Sequence, residues 1–255
     1  MTLPKLLRTF IAGLVLCWAG AAYAAHPLIT DDTGTQGKGK WQFEFNGEYN
    51  HDNKDGANAS ETQIAAAMTY GVIDNLDVAV GLPYLLLKSK EAGESTSANG
   101  LGDVPIFLKW RFYEQEGLSL ALKPGITLPT GDDEKELGAG KVTCSIFFIT
   151  TKEAKPWAFH LNLGYIRNDN NNDEVKNIWH ASLAAELEVA KGLRVVADTG
   201  IERSREQESH LHPAFILGGL IYSVTDNFDL DVGIKGGLNK AEPDYTLLAG
   251  LTWRF

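Results

Sequence analysis

The stretch Tyr245-Thr-Leu-Leu-Ala-Gly-Leu-Thr-Trp-Arg-Phe255 decides the fold. Its odd-numbered positions, Tyr245, Leu247, Ala249, Leu251, Trp253 and Phe255, are all apolar or aromatic. The even-numbered ones, Thr246, Leu248, Gly250, Thr252 and Arg254, are small or polar apart from Leu248. Successive side chains of a β-strand point to opposite faces, so this segment has one wholly apolar face. A strand with lipid on one side and a polar space on the other requires that pattern.

The same alternation runs back through residues 40–255. It places twelve strands near 40–50, 61–71, 75–88, 101–113, 117–129, 141–151, 156–167, 177–190, 192–203, 211–223, 227–238 and 244–255. Short links (72–75, 114–117, 152–155, 191–192 and 225–227) alternate with longer polar ones (51–60, 88–100, 130–140, 168–177, 203–210 and 239–244). The fold class expected is all-β: a transmembrane antiparallel up-and-down β-barrel of twelve strands, with short periplasmic turns and longer outer loops. One internal repeat fixes register. Tyr70-Gly-Val-Ile-Asp-Asn-Leu-Asp-Val-Ala-Val-Gly81 matches Tyr222-Ser-Val-Thr-Asp-Asn-Phe-Asp-Leu-Asp-Val-Gly233, each read as a strand end, a tight Asp-Asn turn and a strand start. The match points Ala214, Ile216, Gly218, Leu220 and Tyr222 outward.

The expected outer face carries no charge; Lys or Arg at the bilayer midplane would cost roughly 2–4 kcal/mol. Its aromatics collect at strand ends, with Trp41, Trp110, Trp157 and Trp253 toward the periplasm and Trp179, Tyr49, Tyr84, Tyr165 and Tyr245 at the outer end. Such girdles suit bilayer interfaces. The inner face mixes both signs. Candidates to line a pore are Glu44, Asp77, Lys109, Arg111, Lys123, His160, His180, Arg194, Asp198, Asp229, Asp231, Lys235 and Arg254, accompanied by Glu48, Asp103, Glu186, Glu188 and Glu202. Twelve strands enclose more space than the eight that side chains just fill, so the lumen should hold water, ligand or a plug. Lys109, Arg111, Lys123 and Arg254 set against Asp198, Asp229 and Asp231 would impose a transverse field on solutes.

The front of the chain reads as an export signal. Lys5 and Arg8 precede an apolar run from Phe10 to Ala22, and Ala22-Tyr23-Ala24 offers a cleavage site before Ala25. The run is shorter than the ~20 residues a membrane-spanning helix needs. Removing residues 1–24 leaves 21 of 23 Lys+Arg against all 33 Asp+Glu, a net charge near −12, which excludes a basic nucleic-acid footprint. Cys144 then stands alone, so no intrachain disulfide is expected. Residues 25–39, with Thr30, Asp31 and Asp32, are too few for a folded plug domain. They form a periplasmic lead-in or a partial plug that threads or caps the mouth.

No cofactor or metal site is expected. Asp169-Asn-Asn-Asn-Asp-Glu174 lacks the Gly and Glu of a calcium loop, and Gly138-Ala-Gly-Lys141 lacks the first Gly and the Ser/Thr of a phosphate loop. His210-x-His212 reads as surface. A hydrolase would need a nucleophile beside a base; His180, Ser182 and Glu186 share a strand face, but the i, i+2 spacing of about 7 Å argues against a direct Ser–His bond.

Several stretches resemble known proteins. The aromatic ending, with Tyr245, Trp253 and Phe255, is similar to the C-terminal signal that the assembly machinery of outer-membrane barrels reads. The opening Pro27-Leu-Ile-Thr-Asp-Asp-Thr-Gly-Thr-Gln-Gly-Lys-Gly39, Gly100-Leu-Gly-Asp103, Leu128-Pro-Thr-Gly-Asp132, the turn at 226–227 and Trp253-Arg-Phe255 resemble the MetA-pathway of phenol degradation family of outer-membrane barrel transporters. The resemblance implies a barrel in the bacterial outer membrane, in contact with lipid and lipopolysaccharide. It also implies passage of small organic, often aromatic, solutes. The reading from residues alone is a passive channel or facilitator and not an enzyme. A structural or adhesive barrel with a plugged lumen and a membrane-embedded hydrolase are its alternatives.

Overall fold

A computed structural model describes residues 26–54, 57–91 and 94–255; the export signal at 1–24 lies outside them. The strands are β1 (Trp41–Lys54), β2 (Ala57–Ile73), β3 (Leu76–Glu91), β4 (Glu94–Leu101), β5 (Val104–Gln115), β6 (Leu118–Leu128), β7 (Thr143–Ala154), β8 (Trp157–Arg167), β9 (Asn177–Ala190), β10 (Leu193–Glu202), β11 (Ala214–Thr225), β12 (Phe228–Gly237) and β13 (Tyr245–Arg254). Each pairs antiparallel with its sequence neighbour, and β1 pairs with β13, so the sheet closes on itself. Closure, completed by the β3–β5 pairing, leaves free edges only at β4 and the tip of the β1–β2 hairpin among the described residues.

Thirteen segments make twelve staves. Both β4 and β5 lie along β3, β4 on its outer half and β5 on its inner half. The pairing offset changes by one residue between Tyr84↔Leu101 and Val80↔Ile106. That extra residue is a bulge at the Gly102-Asp103 corner, breaking the strand expected at 101–113. The links expected at 51–60 and 88–100 are largely strand, because the β1–β2 and β3–β4 hairpins continue the ladder beyond the membrane. Their polarity reflects exposure to water: Lys88 and Lys90 point outward just above Tyr84.

The repeat is structural as well as textual. The β2–β3 and β11–β12 hairpins both turn at Asp-Asn. Both also carry one extra residue at the same place, Val72 between Gly71 and Ile73 and Val224 between Ser223 and Thr225. Gly117 and Gly192 sit at φ 74° and 76° in their turns, where a side chain would be strained.

No side chain proposed for the outer face is buried, and Ile216, Leu220 and Tyr222 point outward as the repeat demanded. The Trp41 and Tyr70 rings meet at the rim with centroids 4.5 Å apart, tilted by 40°. The interior departs from the expected all-polar wall, because three apolar patches face inward. Leu28 caps Ala184, Val196, Phe215, Leu217, Ile221 and Leu248. Val175, from the β8–β9 loop, covers Ala121, Phe147, Ile149, Ile166 and Ile178. Leu137, from the β6–β7 loop, covers Leu85 and Leu87. Each patch is roofed by a segment outside the strands, and strand periodicity holds no information about such roofs.

Candidate functional site: the occupied lumen

Residues 26–40 form a strap that starts inside the barrel at His26 and leads to the rim beside Trp41 and Phe255. Pro27 rests on β11 and β12, where a Cβ on Gly219 would come 2.7 Å from it and one on Gly233 2.8 Å. His26 bonds to Asp231 beside Gly250, whose absent side chain leaves the ring its room. Asp198 on β10 accepts from the Ile29 and Thr30 amides at 2.7 and 2.8 Å and from the Thr30 hydroxyl at 2.6 Å. Asp31, fully buried, accepts from Lys109 at 2.8 Å and Lys123 at 2.7 Å. Lower down, the Thr33 amide donates to Thr151 at 3.1 Å and the Gln36 amide to Asp77 at 3.0 Å. At the rim, Lys38 donates to Asp74, and Gly39 and Lys40 exchange backbone bonds with Gly71.

The strap is therefore held by charge-assisted bonds, which are stronger than neutral ones. Burial works against the charge on His26, but the hydrogen bond and charge of Asp231, helped by Glu48 and Glu44, raise its pKa above 6.5. Burial likewise opposes ionisation of Asp32, yet Lys109 and His160 outweigh it and hold the carboxyl below its ordinary range.

The remaining inner charges form a belt around the periplasmic half. His160 faces Glu186 at 3.4 Å, Glu186 accepts from Arg194 at 2.7 Å, and Asp229 accepts from Arg194 at 3.5 Å and Arg254 at 2.9 Å. Arg254 also donates to Gln42 at 3.0 Å. The transverse field is thus corrected. Arg254 and Asp229 sit on adjacent strands and neutralise each other, Asp198 and Asp231 are bonded to the strap, and Lys109 and Lys123 spend their charge on Asp31. Arg111 pairs with Glu114 at the rim, and Lys235 pairs with Glu242 at 2.6 Å toward the outer end. Glu188 pairs with Arg194 in the inner-face register and is exposed at the rim, where an irregularity in the β9–β10 pairing follows it. Below the strap a vestibule of about 570 Å³ opens between Asp32, Gln36, Gln42, Glu44, Lys109 and Arg254.

One spacing inference fails. His180 Nε2 lies 3.0 Å from Ser182 Oγ, and His180 Nδ1 lies 3.2 Å from Glu202 Oε2. Side chains two residues apart lean together here, closing the gap that strand rise alone predicts. Ser182 is only 4% exposed, so a substrate would have to displace the interior to reach its hydroxyl. Glu61 and Gln63 join the inner face without appearing among the pore-lining candidates, although stepping back by twos from inward Ala65 puts both there. They are 0% and 1% exposed.

A motif pair pins a loop at the opposite end of the barrel. Asp103 of Gly100-Leu-Gly-Asp103 accepts from the Gly131 amide at 2.9 Å and the Ala139 amide at 2.7 Å, and Thr130 donates to the Gly102 carbonyl at 2.8 Å. That corner holds the β6–β7 loop, with Leu137, inside the barrel.

The MetA-pathway of phenol degradation family matches residues 30–255, from the strap to the last strand. The chain belongs to that family. Among curated proteins none matches the sequence. Among solved structures, an outer-membrane channel from Pseudomonas putida F1 superposes with a TM-score of 0.72 at 15% identity, over 88% of this chain and 98% of that one. The translocator domain of the autotransporter NalP from Neisseria meningitidis gives 0.58 at 10% identity, over 97% and 98%. The KdgM porin gives 0.57 at 6% identity, over 84% and 99%. Identities this low show a shared barrel fold, used for more than one purpose.

Proposed function

We propose that this protein is a narrow passive channel of the bacterial outer membrane for small organic solutes, in which the strap sets the bore. One observation carries the reading: a segment held by side-chain bonds, and not by sheet pairing, crosses a polar lumen above an open vestibule. A barrel built only as a scaffold needs neither the vestibule nor a removable filler. Kinship with a family named for phenol degradation supports aromatic compounds among the solutes. The uncharged outer face with its aromatic rims, and the Tyr245, Trp253 and Phe255 ending, support assembly by the barrel-insertion machinery into lipid and lipopolysaccharide.

Liposome swelling with aromatic acids, sugars and amino acids tests the channel. The full chain should admit the smallest solutes, and deletion of residues 26–39 should admit larger ones. Liposomes that stay impermeable with both proteins would refute it.

The roofs at Leu28, Val175 and Leu137 favour a second reading, a plugged barrel acting through its outer loops. It predicts no flux from the intact chain and flux only after the strap is deleted. A hydrolase built on Ser182, His180 and Glu202 would lose ester turnover on Ser182→Ala; the channel reading expects no turnover to lose.

A further inference from the structure

The strap does not use the wall evenly. Its side-chain bonds go to β3, β5, β6, β7, β10 and β12, its backbone meets β2 at Gly71 by the rim, and on β1 His26 Nε2 lies 3.9 Å from Glu48. The inner face of β1 and β2 is left with polar groups that have no partner. Both carboxylate oxygens of Glu61 and both amide atoms of Gln63 are unbonded, as are Glu44 Oε2, Asn46 Oδ1 and Asn50 Nδ2. All five residues are more than nine-tenths buried. Buried polar atoms are nearly always hydrogen-bonded, so such a cluster points to something that visits it.

The register aligns these groups. Asn50 pairs with Glu61, Glu48 with Gln63, Asn46 with Ala65 and Glu44 with Ala67. Inward residues of β1 thus alternate carboxylate and amide from the vestibule outward, Glu44, Asn46, Glu48, Asn50, and β2 adds Gln63 and Glu61 alongside. Glu44 lines the vestibule itself. Four strand residues separate Glu44 from Glu48, about 13 Å. Binding points spaced along a path and none of them deep is what conduction requires.

Resting on the channel reading, we propose that the β1–β2 inner face is the conducting lane and that it selects small organic cations, alkylammonium compounds in particular. The carboxylates supply the counter-charge, and the amide oxygens of Asn46 and Gln63 accept from the ammonium protons in place of water. Among the described residues no group of three or more His, Cys, Asp or Glu side chains could hold a metal ion. The carboxylates are strung out along the strands, which suits a diffuse monovalent charge in transit.

Purified full-length protein in planar bilayers under a potassium chloride gradient tests the lane. The reversal potential should report cation preference, and ethylammonium chloride should carry current better than sodium benzoate. Glu61→Gln and Glu44→Gln should each move the cation-to-anion permeability ratio severalfold toward unity while keeping heat-shifted gel mobility. Conductance that favours anions, or a ratio unmoved by both substitutions, overturns the lane and leaves the channel standing. A second readout covers a silent pore: calorimetric titration of the detergent-solubilised protein with ethylammonium chloride. Heat of binding that disappears in Glu61→Gln sustains the cation selectivity of this face while overturning the channel reading, and no heat from a silent wild type overturns both.

Discussion

Lys123 donates to Asp31 at 2.7 Å, with both side chains sealed from solvent, one on the wall and the other on the strap. Removing one member of a buried pair costs about 3–5 kcal/mol, because the survivor keeps its charge without its partner. Asp31→Asn strands two lysines, whereas Lys123→Met leaves Asp31 with Lys109. Asp31→Asn should therefore release the strap more than Lys123→Met. Protease added to the detergent-solubilised protein should trim the N-terminal segment faster in that order, and equal rates in both variants and wild type would refute the ranking.

Gly233 is a seat whose value lies in being empty of side chain. A Cβ there would meet Pro27 at 2.8 Å, and overpacking costs typically 1–3 kcal/mol. Gly233→Val should lift the start of the strap while leaving the barrel wall intact. Open-channel conductance should rise toward that of the strap-deleted protein; Gly236→Val, where the corresponding space is open, should leave conductance as it was.

The His26–Asp231 contact makes strap docking pH-dependent. His26 has its pKa raised above 6.5 by docking, so the stabilisation is complete below 6.5 and fades as pH climbs through the raised value. Conductance should be low and steady in mildly acidic buffer and should grow on the alkaline side. His26→Gln should flatten that profile. A wild-type conductance independent of pH across the histidine range would remove His26 as a latch.

Asp103 ties the β6–β7 loop to the barrel through two backbone amides. Hydrogen bonds to a charged group contribute about 1.5–3 kcal/mol each. Asp103→Ala should free that loop, draw Leu137 out of its contact with Leu85 and Leu87, and expose the peptide around Lys135 and Lys141 to trypsin. Cleavage no faster than in wild type would show that Leu137 alone suffices to hold the loop.

Most of the wall was legible in the sequence because period two is a local property. Trp253, Leu230 and Phe45 face outward for reasons written within a few residues of each. The repeat went further, since Val72 and Val224 are bulged in both copies. What sequence could not reveal is whatever depends on a segment meeting the wall across the lumen. Leu217 and Ile221 point inward against the polar rule because Leu28 lies over them. Asp31 reads as half of a turn until Lys109 and Lys123 come together on it. Ser182 and His180 touch because rotamers lean, which strand rise does not encode. The extended β1–β2 hairpin was hidden by its own hydrophilicity.

Trp41 and Phe255 exchange backbone bonds in both directions, at 2.8 and 2.9 Å, one residue beyond the end of the strap. The seam of the cylinder and the entry of its internal thread are therefore neighbours along the polypeptide. A thread attached at that point must already lie within the ring when the two lips meet, or squeeze past the vestibule afterwards. Either route brings closure of the seam and docking of the thread to one end of the cylinder, so a change at Trp41 or Phe255 reaches both.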